Sequence, residues 1–330
     1  MNIGILGAGT WGTALARMLS IDGNNVTVWS AIESEVENLS KKRTHPNLLG
    51  MRIPNEIVFT KNIGEAISGM EIVVFAVPSV YVRSVAKAAK NYITKDTVVV
   101  DVAKGVESET LKTMTEVISD EIGEDAKLVA LSGPTHAEEV AKDLPTTIVS
   151  ASRDYDAAVL VQRVFSNSTM RVYVNSDIQG VEICGALKNI VALAAGISSG
   201  LGYGDNAKAA IITRGVAEMS RLGVAMGCDV KTFYGLAGVG DLIVTCTSIH
   251  SRNNQAGVLI GKGHTPKRAI ETVGMVVEGM NALPAAMKLS EKYGVELPII
   301  SAVNDIVNNN ANPSEVVEQL MMREYKIESM

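Results

Sequence analysis

The sequence predicts an α/β half followed by an all-α half. Three observations carry that prediction. Between residues 2 and 174, short β-branched runs alternate with amphipathic stretches, the rhythm of strands separated by packed helices. Beyond about Asp177 those runs give way to Ala, Leu, Met and Gly at helical spacing, which reads as helix after helix. The chain has 330 residues, 47% of them hydrophobic and 20% charged, a length that suits about two domains of roughly 150 residues each.

Strands are expected over 2–6, 25–29, 71–77, 97–102, 127–131, 146–151 and 170–174, with helices between them such as 11–21 and 79–90. The run Ile72-Val73-Val74-Phe75-Ala76-Val77 is apolar without alternation. That pattern predicts burial on both faces, as in a parallel sheet covered by helices on each side. In the second half, helices are expected over 207–222, 265–274, 281–293, 299–308 and 313–322. The two domains are read as 1–188 and 189–330, joined near Lys188. The Met-rich stretches, including Met321 and Met322, read as core or as a seam between helices, and a homodimer through this half would follow the common symmetric arrangement.

Composition excludes several classes of function. The formal net charge is −6, so no global basic field draws the chain to nucleic acid or to anionic lipid. A regulator reading DNA would also need a basic helix, and none is present. Cys184, Cys228 and Cys246 are odd in number and lack C-x-x-C spacing, which reads as reduced thiols in the cytosol. With the histidines at 45, 136, 250 and 264 they form no metal-ligand spacing. Residues 3–16 are apolar, but the first basic residue is Arg17, whereas a signal peptide places its positive charge before the apolar run. Apolar runs such as 190–197 stop short of the roughly 18 residues that would span a bilayer, so no membrane insertion is expected.

The first chemistry-bearing motif is Gly7-Ala8-Gly9-Thr10-Trp11-Gly12. It follows an expected strand and opens an expected helix, the context in which G-x-G-x-x-G marks a Rossmann-like dinucleotide site. Gly7 permits the tight turn, Gly9 lets the backbone approach a pyrophosphate, and Gly12 allows close helix–strand packing, while Thr10 and Trp11 open the helix whose free N–H groups hold phosphate. The second expected strand ends in Ser30, where a protein specific for NADH commonly carries an acid for the ribose 2′-hydroxyl. No arginine sits immediately beside it, Glu33 lies further on, and Lys41, Lys42 and Arg43 read as a solvated helix end. The sequence permits NADPH or NADH as cofactor, and the missing acid tilts the reading toward acceptance of NADPH.

Four further segments carry polar groups at structurally meaningful places. Asp101-Val102-Ala103-Lys104-Gly105 and Ser132-Gly133-Pro134-Thr135-His136-Ala137 both follow expected strands, where open α/β sheets bind ligands. Gly185-Ala186-Leu187-Lys188-Asn189 sets a lysine among apolar residues, so its amine is exposed on one face, paired, or desolvated. Between Gly238 and Asn254 the chain supplies Asp241, Ser251, Arg252 and Asn253; an arginine with hydroxyl and amide donors at a turn suits a phosphate.

These motifs together carry a resemblance. The Gly7 turn, Ala103-Lys104-Gly105, Ser132-Gly133-Pro134-Thr135, Gly185-Ala186-Leu187-Lys188-Asn189, Gly204-Asp205-Asn206-Ala207-Lys208-Ala209-Ala210, Thr213-Arg214-Gly215, Gly238-x-Gly240-Asp241-Leu242, Ser251-Arg252-Asn253 and Val277-Glu278-Gly279 run in order along nearly the whole chain. In that order they resemble the NAD(P)-dependent glycerol-3-phosphate dehydrogenases of bacterial type.

The resemblance implies an enzyme of glycerophospholipid synthesis that interconverts dihydroxyacetone phosphate, a small phosphorylated three-carbon substrate, and sn-glycerol 3-phosphate, with the all-α half as substrate domain. It implies Lys188 as the acid/base, with Lys104, Gly133, Thr135, Lys188, Asp241, Ser251, Arg252 and Asn253 against substrate. On the cofactor side it implies Thr10, Trp11, Lys104, Ala137, Arg252, Val276 and Glu278. Hydride delivery to the C2 carbonyl creates an alkoxide that needs a proton, which gives a lysine its role. Burial and a second cation at Lys104 would favour the neutral amine, and Asp241 would oppose them. The nearest alternative is a related hydroxyacid dehydrogenase or keto-acid reductase of the same two-domain plan. His136 offers no better acid/base, because a pocket lysine already fills that role.

Overall fold

The computed structural model describes residues 1–325, 327 and 328. By its contacts the chain divides into two compact units: unit 1 is Met1–Lys104 with Lys112–Ile178, and unit 2 is Gly105–Leu111 with Gln179–Met330.

Unit 1 carries eight strands: β1 (Asn2–Leu6), β2 (Asn25–Trp29), β3 (Val58–Thr60), β4 (Ile72–Phe75), β5 (Val98–Asp101), β6 (Lys127–Ser132), β7 (Thr146–Ala151) and β8 (Met170–Asn175). Its helices are α1 (Thr10–Ile21), α2 (Glu33–Lys42), α3 (Ile63–Ile67), α4 (Val82–Ala89), α5 (Met114–Ile122), α6 (Ala137–Val140) and α7 (Tyr155–Phe165). The strands form one sheet in the order β3-β2-β1-β4-β5-β6-β7-β8. Alternate residues of β4 go to opposite cores: Ile72 and Val74 join α1 residues such as Leu15, while Val73 and Phe75 join Val82 and Ala86 of α4. This two-sided burial is the reason the strand reads as a continuous apolar run.

The sheet is mixed rather than wholly parallel. Neighbours from β3 through to β6 are parallel, β6 and β7 are antiparallel, and β7 and β8 are parallel again. Between β6 and β7 stands only the four-residue α6, whereas the 11-residue α7 carries the chain between the parallel β7 and β8, as a parallel crossover requires. The three-residue β3 is absent from the sequence expectation, because Val58-Phe59-Thr60 is too short to display a period.

Unit 2 is helical: α8 (Ile178–Gly200), α9 (Asp205–Ala225), α10 (Val230–Phe233), α11 (Asp241–Thr247), α12 (Arg252–Gly261), α13 (Pro266–Val273), α14 (Glu278–Tyr293), α15 (Pro298–Asn308) and α16 (Pro313–Met321). The boundary at Ile178 falls at the start of α8, whereas composition placed the junction near Lys188; the difference is the first part of one unbroken helix. Contrary to the expectation that apolar runs stop short of a span, α8 is 23 residues long and apolar enough to cross a membrane by length and composition. Its small and polar residues break the consecutive run without breaking the helix. It is a core helix, with 94% of its apolar window buried in the structure.

Gly196 and Gly200 of α8 meet Gly257 and Gly261 of α12 backbone to backbone: a Cβ built at Gly257 would lie 2.3 Å from the Leu193 carbonyl oxygen. Met321 and Met322 do not enter the core; they are 79% and 80% exposed, because they form the last residue and the C-cap of a helix whose buried residue is Val316.

Candidate active site

In unit 1 the glycine turn is built from backbone. Gly7 has φ of +125°, and a Cβ there would lie 2.5 Å from the Ala76 carbonyl oxygen, so both conformation and space demand glycine. Gly7 N donates to Trp29 O at 2.9 Å, which ties the turn to the end of β2. Gly9 caps α1 without a side-chain acceptor, the first helical turn holds no acid, and a Cβ at Gly9 would meet nothing within 4 Å. The opening amides of α1 at Thr10, Trp11 and Gly12 therefore have no side chain capping them and begin beside the open space at Gly9, which fits a dinucleotide pyrophosphate.

Around this turn unit 1 gathers the other expected residues at the carboxyl ends of its strands. Ser30 follows β2, Lys104 follows β5, and Gly133 and Thr135 follow β6. Lys104 Nζ donates to the Gly133 carbonyl at 3.1 Å, and the Thr135 hydroxyl donates to the same oxygen at 3.1 Å. Ala137 opens α6, which packs on α1. Ser30 is buried, and its hydroxyl donates to Glu35 Oε2 and accepts from Ile32 N.

Unit 2 assembles its site from side chains. Lys188, 5% exposed, donates to Asp241 Oδ1 at 2.9 Å and to Thr245 Oγ1 at 2.7 Å. The Thr245 hydroxyl in turn donates to the Asp241 carbonyl at 2.6 Å. Asp241 is the first residue of α11, where the positive end of the helix dipole favours a carboxylate. Cys246 lies alongside, but burial pushes its thiol up to about 12, so it stays protonated and inert.

A second polar network sits beside the first. Asn253 Nδ2 donates to Asn189 Oδ1 at 2.9 Å, Gly279 N donates to Asn253 Oδ1 at 2.8 Å, and Asn189 Nδ2 donates to Gly185 O at 3.1 Å. Three helices, α8, α12 and α14, are thereby held together next to Lys188, Arg252 and Glu278. Ser251 Oγ caps α12 by accepting from Asn254 N at 3.2 Å. Arg252 is the first residue of that helix and half-buried, and no described residue bonds to its guanidinium. Val276 lies in the loop before α14, and Glu278, the first residue of α14, accepts from Asn281 Nδ2 at 3.1 Å.

The expected residues thus form two groups, one in each unit. The Gly7 turn, Ser30, Lys104, Gly133, Thr135 and Ala137 belong to unit 1; Lys188, Asp241, Ser251, Arg252, Asn253, Val276 and Glu278 belong to unit 2. Sequence reasoning missed Thr245 and Asn189 as site residues. Thr245 stands one helical turn from Asp241, and that i, i+4 spacing is the signal that could have found it.

A backbone phosphate turn on a mostly parallel sheet, with a buried lysine–carboxylate pair in a helical unit, defines a dinucleotide-dependent oxidoreductase. Residues 2–158 match the family described as NAD-dependent glycerol-3-phosphate dehydrogenase N-terminus, and residues 177–318 match its C-terminus. The chain belongs to that family. It is 61% identical to glycerol-3-phosphate dehydrogenase [NAD(P)+] 2 of Lactobacillus delbrueckii subsp. bulgaricus, over 99% of this chain and 98% of that one. It is 49% identical to glycerol-3-phosphate dehydrogenase [NAD(P)+] of Fusobacterium nucleatum, with the same coverage of both chains. The crystal structure of glycerol-3-phosphate dehydrogenase from Coxiella burnetii superposes with a TM-score of 0.94 at 35% identity, covering 98% of this chain and 99% of that one.

Proposed function

We propose that this chain reduces dihydroxyacetone phosphate reversibly to sn-glycerol 3-phosphate, supplying glycerophospholipid synthesis, with unit 1 holding NADH or NADPH and unit 2 holding the substrate. The observation that carries the reading is the buried Lys188 amine held by Asp241 and Thr245. When bound, the nicotinamide supplies a hydride to the substrate's C2. Lys188 Nζ then donates a proton to the oxygen on C2 in reduction and takes it back in oxidation. Asp241 fixes the amine from one side. Thr245, whose single proton goes to the Asp241 carbonyl, presents a lone pair that fixes it from another.

Arg252 holds the substrate phosphate, since its planar fork matches a dianion, and Ser251 adds a hydroxyl proton not used by its capping bond. The Asn253 side chain spends its oxygen and one N–H on Gly279 and Asn189, which leaves one N–H for the phosphate. Lys104, steadied on the Gly133 carbonyl, polarises the substrate carbonyl, and Thr135 contacts the substrate beside it. Gly7, Gly9, Thr10, Trp11, Gly12, Ala137, Val276 and Glu278 serve the cofactor. We place the protein in the cytosol as a homodimer formed through unit 2, supported by its exposed Met321 and Met322.

The test is nicotinamide absorbance on adding dihydroxyacetone phosphate to NADH and to NADPH, with Lys188→Ala as control. Oxidation by the wild type and not by the variant is expected. A wild type that oxidises either cofactor only with an unphosphorylated keto acid overturns the reading.

A further inference from the structure

We infer that Glu35, reaching from the first turn of α2 back to the end of β2, makes this chain prefer NADH to NADPH. This deepens the proposed function and rests on it only in placing a nicotinamide dinucleotide on the Gly7 turn. The end of β2 is where such a fold meets the adenosine ribose, and Gly7 N bonds to Trp29 O there. Ser30 occupies the strand-end position, but its hydroxyl proton goes to Glu35 Oε2 and its oxygen accepts from Ile32 N at 3.1 Å. Ser30 therefore has no proton to offer a 2′-phosphate. The acid missing from the strand end in sequence is supplied in space from five residues downstream.

The charges nearby reinforce this. Lys61 is paired with Glu33, and Lys41 with Glu37 at 3.6 Å. Arg43 donates to the Pro54 and Ile57 carbonyls at 3.2 and 2.7 Å, and its guanidinium lies 5.7 Å from the centre of the Phe59 ring. Lys42 ends α2, about 14 Å along the helix from its start. His45 is buried and its Nδ1 accepts from Asn47 N; burial pushes its imidazole below the ordinary value against the opposing pull of Glu35 and the Ala8 backbone, so it adds no cation at neutral pH. A ribose 2′-hydroxyl can donate to the second oxygen of Glu35. A 2′-phosphate dianion there meets like charge, a built-in rejection of the wrong partner.

Direct binding tests the assignment. The fluorescence of NADH and NADPH is titrated with wild type and with Glu35→Gln, whose amide oxygen still accepts from Ser30. Wild type is expected to bind NADH about tenfold more tightly than NADPH, and the gap should narrow at high salt. Glu35→Gln should tighten NADPH and bring the ratio toward one with little change in melting temperature. A role confined to bracing Ser30 would lower the melting temperature and leave the ratio where it was. Equal binding of the two cofactors by wild type, or an unchanged ratio in the variant, overturns the assignment and leaves the proposed function standing. Binding of neither nucleotide overturns both.

Discussion

The two units meet their ligands with different parts of the chain. In the sheet unit the phosphate-ready surface is backbone: a positive-φ glycine, an open Gly9 and the uncapped amides of α1. In the helical unit it is side chain: Lys188 on Asp241 and Thr245, Asn253 on Asn189, and a guanidinium with no described partner. Backbone recognition depends on a few consecutive residues and tolerates changes in distant packing. Side-chain recognition depends on how closely helices approach, so packing and chemistry cannot be altered separately.

The largest expected effect assigns the chemistry to one unit. Lys188→Ala should lower kcat by roughly 10²–10⁴, the usual worth of a positioned acid/base, while NADH affinity measured by fluorescence stays within about twofold, because the dinucleotide turn lies in the other unit. An equal loss in both would erase the division. Next, Arg252→Ala should raise the KM for dihydroxyacetone phosphate by roughly 10- to 100-fold, in line with about 1.5–3 kcal/mol for a hydrogen bond to a charged group. Steady-state kinetics showing an unchanged KM would move the phosphate site elsewhere.

The seam between α8 and α12 sharpens the comparison further. A methyl group at Gly257 would sit 2.3 Å from the Leu193 carbonyl oxygen, so Gly257→Ala should cost about 2 kcal/mol of stability by overpacking. It should also lower kcat, because the seam sets the spacing between the helix of Lys188 and the helix of Arg252. Thermal melts read the first effect and turnover the second; an unchanged melt would show that the helices are free to separate.

The smallest effect concerns Glu218 on α9, a buried carboxylate that caps α15 by accepting from Ile299 N at 2.8 Å and Ile300 N at 3.2 Å. Burial raises it from 4.5 to about 7, against the pull of those two amides and of Arg221 and Arg214. A raised acid contributes stability that is present below its unfolded value and is lost as pH rises through the folded one, here between 4.5 and about 7. Glu218→Gln should flatten that decline in denaturant titrations while costing about 1 kcal/mol for one lost acceptor. A wild type equally stable at both ends of the window would rule the effect out.

Legibility in sequence followed the same division. The bounds of β1, β2 and β7 agree with their apolar patterns, and the Gly7 turn is readable because six consecutive residues contain it. The three-residue β3 and the antiparallel pairing of β6 with β7 are not, since one is too short for a period and the other depends on what fills a connection. Ser30 reads as a strand end without an acid, yet Glu35 stands against it once α2 turns back. Met321 and Met322 have core composition and lie outside it.

By itself the sequence determined the alternation of strand and helix, the change to an all-helical second half, the phosphate turn and the residue types for hydride-transfer chemistry. All of these are set by interactions among residues a few positions apart. The tertiary structure alone decided that Lys188 meets Asp241 across 53 positions and Thr245 across 57, and that Asn253 reaches Asn189 across 64. Contacts at that separation come from helix packing, and two glycine pairs set how closely α8 and α12 can approach.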